Sequence, residues 1–326
     1  MRKLANIIVP ACSFGFAKTN VRTNLRITLD SDLEFCCVFL DMTVNQYYQS
    51  IFNCKTYKIS LDGGCTCPNR DGKLGTGGCI FCSATGSGDF TADNVSDAKK
   101  IVSGKIKNPE NAKYITYFQN FTNTYGDFNR IKAQWEKALS CDGVVGLAVG
   151  TRPDCISDEC LDYLGKLADK IFVQVELGFQ TSNEETAVYI RRGFKNDVYW
   201  QAVQNLHKAN KKIHIVTHVI FGLPGDSREQ MMETVKYVCS ANTDGLKIAN
   251  LYVVRGSDLE KEFAAGKVRV LEEDEYFSLL EEALKIIPEN IIIHRLTGDP
   301  PKKLLIAPAW CSNKKEMLSR VNRILK

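Results

Sequence analysis

Four of the chain's 13 cysteines fall in one stretch, Cys65–Cys82, CTCPNRDGKLGTGGCIFC, with the spacing C-x-C-x11-C-x2-C. Thiolates set this close support three chemistries. Four could close a tetrahedral zinc site, pairs could form disulfides in an oxidising compartment, and an iron–sulfur cluster could use three or four of them. Plain packing is the poorest reading, because Gly63, Gly64, Gly72, Gly75, Gly77 and Gly78 give the segment little to bury. If only Cys67, Cys79 and Cys82 held a [4Fe–4S] cluster, one iron would stay open, which is what separates a catalytic metal site from a structural one.

The surrounding elements must position this loop. Strand-like apolar runs lie at Tyr57–Leu61, Lys113–Phe118, Val144–Val149, Ile171–Leu177, Ile213–Phe221 and Leu246–Val254. Helical patterns fall between them, at 96–102, 128–140, 157–168, 184–191 with 197–209, and 227–241. Asp158 and Glu159 suit a first turn and Ser227 suits an N-cap. Six β–α repeats in a row predict a parallel sheet, either open and doubly wound or a barrel; periodicity alone does not choose. A further helix at 274–287, an apolar run at 290–294 and a last helix at 313–325 follow. The cysteine loop follows the first strand, so it sits at the strand edge where parallel α/β folds build their sites.

CPNRDGKLGTGGCIFC resembles the cluster loop of radical S-adenosylmethionine (SAM) enzymes, in the branch around the Elongator catalytic subunit and its small bacterial YhcC/YtqA-type members. The likeness extends over about residues 46–326 through KISLDGG, YFQNFTNTY, TRPDC, ELGFQT, HVIFGLPGD, HRLTGD and APAW, in that order. It implies an α/β fold, a partial (β/α)6 TIM-like barrel with a short C-terminal extension. It also implies a [4Fe–4S] cluster on Cys67, Cys79 and Cys82, with SAM chelating the fourth iron. Reduction would cleave SAM to methionine and a 5′-deoxyadenosyl radical that takes hydrogen from the substrate, and an external flavodoxin- or ferredoxin-type donor would supply the electron. Phe81 would pack near the adenine, Thr122 near the methionine moiety, and Arg152 on the SAM carboxylate, a task for a guanidinium fork. Glu176 and Gln180 would contact ribose and amino group, and Gly222 and Gly225 would let backbone approach the adenine. His294 and Arg295 are candidates for the substrate face. Because the Elongator-like relatives act on tRNA, the resemblance points to a wobble uridine as substrate.

Three positions depart from the pattern. Cys65 stands where relatives usually carry an aromatic residue, so a fourth ligand stays open. Phe194 replaces a common histidine. Cys311 reads either as a hydrogen donor or as a small buried thiol beside Trp310.

The chain has 326 residues, 44% hydrophobic and 25% charged, with net charge +4, ordinary for a globular protein. An odd, scattered cysteine set fits reduced thiols and a cytoplasmic location. No apolar run reaches spanning length, so no membrane partner is expected. Residues 1–41 lack periodicity and are expected to be extraneous or disordered, with Met42 as the natural start, a core over 42–289 and an extension with a basic helix over 290–326. Residues 301–326 hold seven Lys/Arg against one acid, Glu316, and with Arg191, Arg192 and Lys195 are compatible with RNA. Two other functions compete: a radical SAM enzyme on a porphyrinogen-like metabolite, and a zinc-stapled, non-catalytic nucleic-acid-binding protein.

Overall fold

In the computed structural model, residues 43–86, 88–104, 106 and 111–325 are described. The expectation for residues 1–41 lies outside them. Nine strands and ten α-helices follow in chain order among the described residues. The strands are β1 (Thr56–Leu61), β2 (Lys113–Phe118), β3 (Val144–Thr151), β4 (Phe172–Gln180), β5 (His214–Phe221), β6 (Gly245–Asn250), β7 (Val253–Val254), β8 (Ile292–Arg295) and β9 (Leu305–Ala307). The helices are α1 (Val44–Phe52), α2 (Val95–Ser103), α3 (Phe128–Leu139), α4 (Asp158–Ala168) and α5 (Glu184–Tyr189). After them come α6 (Asn196–Ala209), α7 (Arg228–Ser240), α8 (Asp258–Ala264), α9 (Glu273–Ile286) and α10 (Lys314–Ile324).

Seven strands make one sheet in the order β1-β2-β3-β4-β5-β6-β8, parallel at every pairing. Its two faces differ, because successive side chains on a strand point oppositely. One face carries Ile59, Phe118, Leu147, Val149, Val173, Val175, Ile215, Leu246 and Ile248 into the main apolar core. That core packs against the amphipathic helices; α3 contributes Phe128, Ile131 and Trp135 from a single stripe. The other face carries Lys58, Tyr117, Gln174, Glu176, His214, His218 and Lys247 at alternate positions.

The second face is concave. A flat sheet would hold β1 and β4 three strand spacings apart, about 14 Å. Yet Lys58 on β1 reaches Glu176 on β4 at 2.5 Å, and Lys247 on β6 bonds the same carboxylate. The sheet therefore curls into a partial barrel around a polar lumen. At the starting ends of the strands, α1 closes the lumen floor: Tyr48 packs with Ile115, Tyr117 and Ala148, and Tyr48 Oη donates to Gln174 Oε1 at 2.8 Å.

Most boundaries match the sequence reading, and Ser227 does cap α7, in a capping box with Gln230. Three features differ. The run at 246–254 breaks after Asn250, and β7 leaves the sheet to pair antiparallel with β9. The run at 290–294 forms β8, a seventh strand, so the sheet continues beyond residue 289. Helix α1, absent from the sequence reading, starts at a Thr43–Gln46 capping box.

Candidate functional site

All the loops that follow β1, β3, β4 and β5 gather at one rim of the half-barrel. The cysteine loop is shaped by its own backbone: Arg70 N and Asp71 N both donate to Cys67 O, and Cys82 N donates to Cys79 O. It is fastened to the end of α5 by Ile80 N to Ile190 O at 3.3 Å and by Asn69 Nδ2 to Arg191 O at 2.6 Å. Asn69 Nδ2 also lies 3.5 Å from Cys79 Sγ. Gly193, at φ +83°, passes so close that a Cβ there would meet Asn69 Oδ1 at 3.0 Å and Arg152 Nη2 at 3.2 Å. Only glycine fits that crossing.

Cys67, Cys79 and Cys82 share this rim. Burial, reinforced by Cys82 and then Cys67, pushes the Cys79 thiol up to about 12, while the Arg152 guanidinium acts the other way. Cys65 does not join them. It is buried in the main apolar core, with Sγ 3.5 Å from Gly63 O and accepting from Arg130 Nη2 at 3.5 Å. Among the described residues no three His, Cys, Asp or Glu side chains converge to grip a single metal ion. A tetrahedral zinc would need sulfurs about 3.8 Å apart, whereas a four-iron cluster takes each thiolate on a separate iron. Cys82 and Cys67 stand near enough to Cys79 to act on its thiol, while the Cys65 sulfur is engaged by Gly63 O and Arg130 Nη2 instead.

A second observation supports a ligand here. Thr122 is 1% exposed, and its Oγ1 has no hydrogen-bond partner; nor has Asn123 Oδ1 beside it. Buried polar atoms normally find partners; Asn123 Oδ1 is packed against Gly63, where a Cβ would collide with it, which leaves the Thr122 hydroxyl as the orphan that fits a site a bound molecule completes. Phe81 packs against a separate apolar cluster that includes Leu223 and Leu251. Leu223 lies between Gly222 and Gly225, whose φ values of +83° and +96° make the turn there. Gln180 sits at φ +69°, where the β4–β5 register shifts.

Arg152 and Glu176 have protein partners first. Arg152 forks onto Asp154, Nε to Oδ1 at 2.9 Å and Nη2 to Oδ2 at 2.8 Å. Phe194, in the place of the common histidine, lies under both Arg152 and Arg192. Glu176 is not turned to the rim. Its fully buried carboxylate takes Lys58 and Gln174 Nε2 (2.6 Å) on Oε1, and Tyr117 Oη (2.6 Å), His218 Nε2 (2.8 Å) and Lys247 on Oε2. The two ammoniums hold Glu176 well below the usual carboxylate range against the opposing effect of burial. Burial first, partly offset by Glu176 and reinforced by Lys58, brings Lys247 down to about 7.

His294 lies at the opposite end from the cysteines, near the start of β5. Its Nε2 is 2.8 Å from His214 Nε2, and His214 Nδ1 is 3.1 Å from Tyr47 Oη. Arg295, an exposed residue, is in register with Lys247 across a bulge and close enough to act on Lys58, Tyr117 and Lys247. Cys311 is 4% exposed and accepts from Asn250 Nδ2 at 2.9 Å, as a small buried thiol would. Arg192, 1% exposed, donates to Thr181 O at 2.6 Å and Phe194 O at 2.9 Å; it is structural and offers nothing to RNA.

The sequence reading missed Lys58, Tyr117, His218 and Lys247. A signal was present. Strands of a parallel sheet covered on both faces read as nearly continuous apolar runs, but here Lys58/Ser60 and Gln174/Glu176 repeat with period two, and His214 and His218, four apart, fall on one face of their strand.

Among the described residues no helix is long and apolar enough to cross a membrane. The chain is 41% identical over 288 residues to the uncharacterised protein YtqA of Bacillus subtilis, covering 87% of this chain and 89% of that one. A tRNA uridine(34) acetyltransferase of Dehalococcoides mccartyi is 28% identical over 167 residues, half of this chain and 35% of that protein. Among solved structures, the archaeal Methanocaldococcus infernus Elp3 superposes with a TM-score of 0.57 at 17% identity, covering 82% of this chain and 63% of that one; it shares the fold. Residues 69–238 match the radical SAM superfamily and residues 243–326 match the Radical_SAM C-terminal domain. With the three rim thiols, the orphaned Thr122 hydroxyl and the curled parallel sheet already in place, these matches settle the family: the chain belongs to the radical SAM superfamily, whose enzymes use a [4Fe–4S] cluster and SAM.

Proposed function

We propose that Cys67, Cys79 and Cys82 hold the cluster, and that the chain cleaves SAM reductively to abstract hydrogen from a substrate in the half-barrel lumen. When bound, the cluster and SAM supply the electron transfer and the radical. The chain's own residues do the rest. Asn69 and the loop amides fix the thiol loop, Thr122 Oγ1 offers a hydrogen bond to the bound SAM, and Phe81 gives its adenine an apolar surface. Gln180 at the β4 rim, and Gly222 and Gly225 at the β5 turn, stand around the same space. Arg152, already forked onto Asp154, orients that carboxylate and brings positive potential to the thiols. The floor formed by α1 keeps water and stray hydrogen donors from entering the lumen from below. Three thiols on one rim beside a buried, unpartnered hydroxyl are the observation that carries this reading.

For the substrate we propose a nucleotide of tRNA, in the cytoplasm, with an external flavodoxin- or ferredoxin-type donor. Support comes from the name of the Dehalococcoides relative and from a lumen that is polar and cationic rather than apolar. The basic tail supports it less than its composition suggests, because Lys314 pairs with Asp299, and Arg320 with Glu273 and Asp274. The test fractionates a cell extract into total tRNA and a small-molecule filtrate. Stimulation of 5′-deoxyadenosine formation by tRNA alone is expected; stimulation by the filtrate alone would move the substrate to the metabolite class.

A further inference from the structure

The lumen carries more positive charge than its own structure requires. Glu176 is the one acid at its centre among the described residues, and it faces two ammoniums, Lys58 on one oxygen and Lys247 on the other. Both also lie over the Tyr117 ring, at 4.5 and 5.1 Å. One lysine suffices to neutralise one carboxylate. Arg295, in register with Lys247, adds a third cation, and its acid partner is loosely held: Asp299 lies 3.9 Å from Arg295 but 3.0 Å from Lys314.

Excess buried charge is unfavourable unless something pairs with it. These groups are recessed but not sealed, since the side chains of Lys247, Lys58 and Arg295 keep 14%, 20% and 49% of their surface exposed. Part of each side chain is therefore reachable from solvent on the lumen side of Glu176. The remaining lumen groups add hydrogen bonding without negative charge. His218, already on Glu176, His214 and His294 are all held neutral, in each case chiefly by burial.

We propose that the lumen is an oxyanion subsite, in which Lys247 and Arg295 receive a carboxylate or phosphoryl group of the substrate while Lys58 stays with Glu176. The bound oxyanion supplies the missing negative charge and fixes where the substrate sits below the cysteine rim. The depressed lysine value is consistent with this, because an incoming anion favours its protonated form. The inference rests on the proposed function for its place in a reaction, but the binding itself does not need SAM cleavage.

The test uses the full chain with its cluster reconstituted, labelled with ¹³C at lysine Cε. Inorganic phosphate and, separately, acetate are titrated at constant ionic strength with chloride as the balancing salt. The expected result is a saturable shift of the Lys247 resonance, its apparent pKa rising from about 7 toward the ordinary lysine value. Affinity, followed through the Lys58 resonance, should weaken at least tenfold in Lys247→Met and in Arg295→Gln. Arg295→Gln alters an exposed side chain and keeps the test valid if Lys247→Met fails to fold. The tighter of the two anions identifies the group. No saturable shift with either anion, or affinity unchanged in the variants, overturns the subsite. The same samples are assayed for 5′-deoxyadenosine. Anion binding without SAM cleavage would sink the radical reading and leave the subsite standing, and SAM cleavage without anion binding would do the reverse.

Discussion

Glu176 holds two lysines, a histidine, a tyrosine and a glutamine, so its charge matters more to the fold than either lysine alone. Glu176→Gln leaves both ammoniums without a counterion and is expected to lower stability by about 3 kcal/mol. Lys247→Met leaves the Lys58–Glu176 pair and is expected to cost less than about 1 kcal/mol, or to stabilise. Urea midpoints compare the two directly; equal losses would mean that Glu176 is not the hub. The family and its cofactors were legible through the ordered motifs around the cysteine loop, since the thiols alone left zinc, disulfide and iron–sulfur chemistry open. The protein partners of Arg152 and Glu176 were not. A sequence shows that a buried charge needs a partner but not which partner reaches it first, and Asp154 and Lys58 did.

Two elements carry testable loads. Asn123 ties the end of β2 to β3: its Nδ2 donates to Phe118 O at 3.0 Å, Asn120 O at 2.8 Å and Gly150 O at 3.0 Å. Asn123→Ala is expected to cost about 2 kcal/mol and to reduce SAM affinity as the rim loosens. Calorimetry of SAM binding reads the second effect, and unchanged affinity would detach Asn123 from the site. The β5–β8 floor gives a pH dependence. Burial lowers His214 to about 4, against a weaker opposing effect of Asp244, and holds His294 well below its ordinary value. Both titrate near 6.5 when unfolded. Below about pH 6.5 the unfolded chain therefore takes up protons that the folded chain refuses, and stability falls as pH drops toward 4. At pH 5.5 each histidine is expected to cost about 1 kcal/mol relative to pH 7. A urea midpoint that does not move between these pH values would show that the pair is charged in the fold. Helix α1, which builds this floor, escaped the sequence reading because only Tyr48 among its residues is fully buried. The strands were legible from their outward apolar residues, while the break after Asn250 depends on β9, some fifty residues away, which no local pattern reveals.

At the scale of the molecule, periodicity gave a parallel sheet but not its curvature, which depends on side chains from β1, β4 and β6 meeting across the lumen. If tRNA is the substrate, the cations to hold it are Lys302, Lys303 and Lys315, which form no ion pair among the described residues, together with the lumen mouth. Binding is then expected to weaken at least about tenfold between 50 and 200 mM salt, and a salt-independent affinity in a filter-binding assay would remove RNA as the partner. The central claim, however, is the thiol rim. The direct measurement is anaerobic reconstitution, then incubation with SAM and dithionite, with 5′-deoxyadenosine, iron and zinc quantified on one sample of the parent chain and of Cys79→Ala and Cys65→Ala. The expected result is iron with 5′-deoxyadenosine in the parent chain and in Cys65→Ala, and loss of both in Cys79→Ala. Zinc without SAM cleavage, or equal loss in the two variants, would contradict the account.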